Sequence, residues 1–582
     1  VPRLLAVTSH DRLITPFFYR SFEHVPTDNA VIGNEYLHSY AFFPVRSGLA
    51  GTDTIVCVLG VGRKGALRIL RKSYRRKVGK TCMFLSMLMI LVVLIAASSN
   101  GEKLTLVPFS QVQVRQYQQF ESSDSTKTTL KSDVGGMWII TERGVLLGER
   151  HFHSKRFFPC DQVVGFSLGT NGHMKAHTTC GVSEFWFETM RLADKAGHYE
   201  KIAAAHDRRG FIADTRAGKT FSNDNDGLWT AMYAAAKLFE YKATGSKAAL
   251  ARAERAARAV LSLEKVTGTP GYPARSYIDP KEVKPKDGFW YWTTDRKLEF
   301  KSDTSSDESV GHFLLFGTAW DLLPAGALRD DVRETCRRQM DYILKHNYYL
   351  IDPKTGRPTR WGKWHPEYFA GEGKEDAPLN ALELISFLRT SAHVTGDKKY
   401  ELELKKVIDE LGYLKIAGRL KEMREELNYS DEELAMLSFY PLLVYEKNPE
   451  YRKGIVKALD DWFENMRPQK NPLWNSIYEL GRGENLALRK DSIWTLERLP
   501  LDLRNWRVEN SWRKDLPLAS KVDRFGKRET TVLLPPDERA VMKWNGNPFV
   551  LDGGKDGSGE DDGTIFLLPY WMGRYHKLWG ER

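Results

Sequence analysis

At 582 residues the chain is too long for one ordinary compact domain, and typical domain sizes divide it into about two to four. With 42% hydrophobic and 28% charged residues it is globular, which excludes a fibrous or wholly disordered protein. The net charge of +11 resembles that of a nucleic-acid binder, yet residues 1–82 hold 13 Lys/Arg against 5 Asp/Glu, so only +3 is left for the rest, with the signs interspersed. No basic stripe remains to follow a phosphate backbone, and nucleic acid is set aside as a partner.

In chain order, residues 1–82 read as a poorly ordered basic extension. They precede residues 83–99, where the run MFLSMLMILVVLIAASS follows Arg71-Lys72-Ser73-Tyr74-Arg75-Arg76-Lys77. A basic flank, an apolar run and small residues form the pattern of a signal peptide. The expectation is a secreted protein, or a signal-anchored one with the rest outside, without stable membrane insertion unless residues 83–97 stay as an anchor.

Residues 100–188 read as short strands. Thr141-Glu142-Arg143-Gly144-Val145 is echoed by Thr178-Thr179-Cys180-Gly181-Val182, a shared T-x-x-G-V at a spacing near one propeller blade. The segment is expected to be a short, truncated β-propeller-like module. Cys160 and Cys180 within it are compatible with a disulfide or with two buried thiols.

Residues 189–500 change period. Apolar residues recur at three- and four-residue steps near 189–206, 227–243, 246–264, 306–323, 328–346, 378–395, 397–411, 416–427, 430–446, 449–466 and 485–497. Loops rich in unusual residues separate alternate helices. The fold class expected is mainly α, an α/α toroid of paired helices. Residues 501–582 lose the helical period but are too apolar to be a solvated tail, and are expected to pack on the toroid.

Several loop-to-helix junctions carry chemistry-bearing residues: His206-Asp207-Arg208-Arg209-Gly210, Ser222-Asn223-Asp224-Asn225-Asp226-Gly227-Leu228-Trp229, Pro273-Ala274-Arg275-Ser276, DTSSDESVGH over 303–312, and Arg360-Trp361-Gly362-Lys363-Trp364-His365. Helix capping accounts for part of them. Thr304 to Asp307 has capping-box spacing, and Asp and Asn of the NDNDG stretch satisfy free N–H groups at a helix start. Capping does not require His312. Glu308 and His312, four apart, share a helix face, where a carboxylate orients an imidazole and raises its basicity. They are the pair to test, whereas Asp307 is assigned to the cap. An EF-hand reading of the Asn/Asp loop fails because Tyr233 occupies the position of the last acidic ligand.

The motifs DNDGLWTAMYAAA, VTGTPGYPARS, DTSSDESVGH, PTRWGKWHP and LLPYWMGRYH together resemble a set of bacterial proteins that join a regulator-type β-propeller to an α/α-toroid domain, over about residues 135–582. The nearest characterised kinship this resemblance suggests is to polysaccharide lyases acting on rhamnose-capped glucuronate in arabinogalactan.

The leading expectation is therefore a secreted enzyme that cleaves an acidic oligo- or polysaccharide by β-elimination. Arg275 or Arg360 would hold the uronate carboxylate. His312 or His206 would take the carbon-bound proton, with Tyr233 or Tyr272 as the acid. Trp229, Trp290, Trp292, Trp361 and Trp364, with Arg208 and Asn223, would contact the sugar; Trp combines a flat apolar face with one N–H donor, which suits such ligands. No metal is required, although calcium is an allowed cofactor. The first alternative is a glycoside hydrolase using two of Asp226, Asp303, Asp307 and Glu308. The second is a non-catalytic glycan-binding or sensor protein.

Overall fold

The computed structural model describes residues 37–45, 55–62, 67–70, 104–117, 127–169, 171–424, 428–540 and 543–581. Two compact units divide the chain, Val1–Gly101 and Glu102–Arg582. In the first, Leu37–Val45, Ile55–Gly62 and Leu67–Leu70 form a three-stranded antiparallel sheet in that order. Most of the expected extension, and all of the expected signal segment at 83–99, lie outside the described residues.

The second unit is mainly helical and begins with two four-stranded antiparallel sheets. One is the meander Thr129–Lys131, Met137–Ile140, Val145–Leu147 and Arg150–Phe152. The other runs Val163–Leu168, Met174–Thr178, Gly181–Met190, with Phe109–Tyr117 on its far edge. They share one apolar core, in which Trp138 of the first sheet lies 5.4 Å from Phe152 and 5.5 Å from Phe185 of the second. The echoed T-x-x-G-V is a hairpin turn, used once in each sheet. Its glycines are obligatory, because a Cβ on Gly144 would meet the Phe152 carbonyl oxygen at 2.0 Å and one on Gly181 the Tyr117 oxygen at 2.3 Å. A Cys160–Cys180 disulfide ties the second turn to the loop before it.

Twelve helices of eleven or more residues follow among the described residues. They are α1 Leu192–Ala205, α2 Asp226–Thr244, α3 Lys247–Thr267, α4 Ser306–Leu322, α5 Ala327–Lys345, α6 Ala377–Thr395, α7 Lys398–Asp409, α8 Tyr429–Tyr445, α9 Pro449–Met466, α10 Pro472–Arg482, α11 Leu486–Arg498 and α12 Thr564–Tyr575. Even and odd helices differ in pattern. α6 buries 17 of its 19 residues, whereas α5 buries 7 of 19 at the steps 328, 332, 335/336, 339/340 and 343. A helix apolar all round belongs inside, and one with a single stripe belongs outside.

Packing follows that pattern. α2 lies against α4, α4 against α6, α6 against α8, α8 against α10, α10 against α12, and α12 returns to α2. Each even helix is also backed by an odd neighbour: α3 on α2, α5 on α4, α7 on α6, α9 on α8, α11 on α10 and α1 on α12. Connections leaving even helices are short. Gly245-Ser246 and Gly396-Asp397 each turn the chain in two residues, with the glycines at φ +75° and +70° and the next side chain capping the following helix. Turns this tight make each such even helix and the odd helix after it an antiparallel pair. The connections entering them are mostly long, as at 206–225, 268–305, 346–376 and 499–563, and gather where the even helices begin.

Three expected boundaries shift. The helix expected at 416–427 is instead two short turns, Tyr413–Ala417 and Leu420–Met423. α10 is absent from the expected helices although Leu473, Trp474, Ile477 and Leu480 keep the helical step over its eleven residues. α12 escapes it because it is apolar nearly all round and carries Pro569 inside.

Candidate acid–base site

At the end where the even helices start, Arg275 holds the loops together. Its Nε donates to the Asp224 carbonyl at 2.8 Å, Nη2 to Asn225 Oδ1 at 2.8 Å and Nη1 to the Asp303 carbonyl at 3.2 Å. Asp303, at φ +56°, accepts the backbone N–H of Arg360 on Oδ1 at 2.9 Å. Asn225 Nδ2 in turn donates to Asp307 Oδ1 at 3.4 Å. Arg275 is thus a brace between three loops.

Beneath this layer two of the expected catalytic groups are sealed. Asp226 is fully buried; it accepts Arg208 Nη2 at 2.5 Å, the Ser276 hydroxyl and the Asn223 N–H. Arg208 also reaches the Tyr277 carbonyl and Glu282, so neither group faces solvent. Glu308 and His312, both 0% exposed, lie in the contact between α4 and α2. Glu308 Oε1 accepts the N–H groups of Gly227 and Leu228, while Gln339 Nε2 lies 2.9 Å from His312 Nδ1. Glu308 Oε2 and His312 Nε2 stand 3.6 Å apart without other partners. Burial drives the Glu308 pKa well up, with the Arg275 charge opposing, and drives that of His312 down to about 4. Both are sealed from solvent, so they do not form a base exposed to substrate.

The capping expectation at this helix is also corrected. Ser305, not Thr304, is the N-cap, and no side chain caps it. The Thr304 hydroxyl donates instead to the Pro273 carbonyl at 2.6 Å. Asp307 is therefore free of the capping role assigned to it.

Asp307 belongs to a different group. Glu383 of α6 and Glu433 of α8 are 0% and 1% exposed, and each has an Oε1 with no hydrogen-bond partner. Trp364 Nε1 donates to the other oxygen of Glu383 at 2.7 Å. Burial raises both pKa values well above the carboxylate range, and the charge of Asp307, half-buried on α4, adds to the rise in each. Asp376 and Asp431, bridged by Arg424, add to the rise at Glu383. Asp561 and Asp562, before α12, act on Glu433, with Lys543 opposing. Asp561 is itself pushed up to about 7, by burial first and the Asp562 charge second. Lys543 lies 3.2 Å from Asp214 and 5.5 Å over the Trp229 ring. Every helix N-terminus here presents a positive dipole end, which tolerates such a concentration of carboxyl groups.

The remaining expected residues scatter. His206 is buried, with Nδ1 2.8 Å from the Ala213 carbonyl and Nε2 3.7 Å from Glu560. Burial works to lower its pKa, but Glu560, Asp562 and Asp561 outweigh it and raise it. The Tyr233 hydroxyl donates to Glu200 and that of Tyr272 meets Ser302, and burial raises both pKa values. Asn223 folds back to accept the Asn225 N–H. Trp364 is core, not rim. Trp290 is half-buried, whereas Trp292 and Trp361 are exposed, and the Arg360 guanidinium stacks 4.5 Å over Trp361. Among the described residues no cluster of three or more His, Cys, Asp or Glu is arranged to hold a metal ion, and no helix is long and apolar enough to cross a membrane.

Glu383 and Glu433 were not foreseen. Each sits one turn or more inside an apolar helix, and the signal was the oddity of a Glu among apolar residues, alone in LNALELISFL and beside Glu432 in EELAMLSFY. In comparisons with known proteins, the chain matches no family model and no curated relative.

Proposed function

We propose that the chain is a carbohydrate-active enzyme whose even and odd helices make an α/α toroid, and that it hydrolyses a glycosidic bond at the mouth of that ring. The observation that carries this reading is the contrast between Glu433 and Asp307. Glu433 is a buried carboxyl whose pKa burial and the Asp307 charge push up and whose Oε1 has no hydrogen-bond partner, and Asp307 is a half-buried carboxyl on the helix packed against it. Two carboxyl groups in unlike environments are the acid and the base of glycoside hydrolysis. Glu433 would protonate the leaving glycosidic oxygen as its bond to the anomeric carbon breaks. Asp307 would remove a proton from the water that forms the new bond there. Glu383, with one oxygen fixed by Trp364, would shape the field around both.

The β-elimination favoured by sequence has less support. His312 and His206 are buried and engaged, and Arg275 is committed to the loops. The rim residues Arg360 and Trp361 suit a sugar-stacking role in either chemistry. The resemblance to propeller–toroid proteins agrees with a glycan substrate outside the cell.

The test is an assay of the full chain on a panel of neutral and uronate-containing oligosaccharides. New reducing ends without an ultraviolet-absorbing product, lost in Asp307→Asn and Glu433→Gln, support hydrolysis. An unsaturated, absorbing product restores the lyase reading. Binding with neither product sinks both enzyme readings.

A further inference from the structure

Beside the carboxyl group cluster, a small, partly open pocket lies between the starts of α10 and α12 and the loop carrying Arg539 and Lys543. Thr495, Gln469 and Trp544 line it as well, and none of its lining residues is acidic. In a mouth otherwise crowded with Asp and Glu, this is a positive corner.

Most polar groups of its wall are occupied. Thr495 donates to the Lys470 carbonyl, Gln469 lies between Glu432 and Trp474, and Asn471 caps α10 by accepting from Leu473 and Trp474. Arg539 is the exception. It is 7% exposed, yet its Nε and Nη1 have no hydrogen-bond partner. Two unpartnered N–H groups on a buried guanidinium are costly unless something completes them, and burial holds its pKa down at about 10 against the opposing charge of Asp537. Its planar fork matches a carboxylate or sulfate. Lys543 connects this pocket to the proposed acid–base centre, since it lines the pocket and its charge acts on Glu433.

We infer that this pocket is a subsite for the anionic group, carboxylate or sulfate, of a charged sugar unit, with Arg539 as its recognising residue. The inference rests on the hydrolase reading for the substrate's nature. It moves anion recognition from Arg275 and Arg360 to a residue that no sequence motif marked.

The experiment measures binding of glucuronate, glucose 6-sulfate and glucose to the full chain by calorimetry, with Arg539→Met as the variant. The expected result is binding of one of the charged sugars but not glucose, weakened about tenfold or more in Arg539→Met. Which charged sugar binds decides between carboxylate and sulfate. Because Nε and Nη1 make no bonds, Arg539→Met should keep or raise the melting temperature; a structural arginine would lower it. Glucose binding as well as the charged sugars, or Arg539→Met binding as well as wild type, overturns the subsite. Should that variant not fold, charged-sugar binding by the wild type that is equal at low and high salt overturns it too. Reducing ends released from charged glycans with no effect of Arg539→Met leave the hydrolase reading standing and remove the subsite alone. Charged-sugar binding at Arg539 with no glycan cleaved removes the hydrolase reading and leaves an acidic-sugar binding site.

Discussion

Glu308 of α4 accepts the backbone N–H of Gly227 at 3.2 Å, and so caps a helix other than its own. The same contact explains Gly227 itself, where a Cβ would fall 2.0 Å from Glu308 Oε2, and Gly311, where one would fall 2.5 Å from Leu228 Cα. Two glycines and one carboxyl group let α2 and α4 approach closely. Glu308→Ala should cost about 2–4 kcal/mol through the lost cap and the cavity left behind. Glu308→Gln should cost under about 1 kcal/mol, since burial favours the neutral acid, which the amide mimics. Gly227→Ala should cost about 3 kcal/mol or more. Chemical denaturation measures all three, and a harmless Gly227→Ala would refute the packing argument.

Catalysis should divide differently from stability. Asp307→Asn and Glu433→Gln are each expected to lower kcat by about 10²- to 10⁴-fold with the fold intact. His312→Gln should leave the shape of the pH–rate profile unchanged. A shifted basic or acidic limb in that variant would return His312 to the chemistry.

Stability should fall as pH rises. Glu383 and Glu433 have folded-state pKa values above their unfolded ones, so the folded chain binds the extra protons. Their contribution is complete below the ordinary Glu value and is lost as pH climbs towards the folded values, at up to about 1.4 kcal/mol per pH unit per group. Glu433→Gln should flatten this slope and exceed wild-type stability at neutral pH while losing activity. Thermal melts across acid to neutral pH read both effects.

The Cys160–Cys180 disulfide closes a loop of sequence separation 20. Cys180→Ser should destabilise the two-sheet module by about 3 kcal/mol. A reductant should produce the same change in wild type and none in the variant, followed by the fluorescence of Trp138 in the module core.

At the rim, Trp361 is 43% exposed with Arg360 stacked on it. Trp361→Ala should raise KM several-fold with little change in kcat on the oligosaccharide that is cleaved. A loss confined to kcat would place Trp361 in the reaction centre instead.

The helical architecture was largely legible because period is a local property. α3, α5 and α9 carry one apolar stripe each, and their limits follow from Ser246, Gly268 and Asn448-Pro449. α12 was not legible, since an all-apolar helix interrupted by Pro569 has no period to read. The aromatic and charged loops were recognised as a group before any contact was known, yet roles within them were misassigned. Arg275 and His312 have the right chemistry for a site, but each is consumed by neighbours distant in sequence, Asp224 and Gln339.

The sequence alone determined most of the helices and the long loops that carry polar residues between them. Only the tertiary structure decided between Asp307 and Glu308. Adjacent residues on a helix point about 100° apart. Which of them meets the buried start of α2 and which the open mouth depends on how α4 is rotated against its neighbours. That rotation is set by Gly227 and Gly311 in the contact, not by the string DTSSDESVGH.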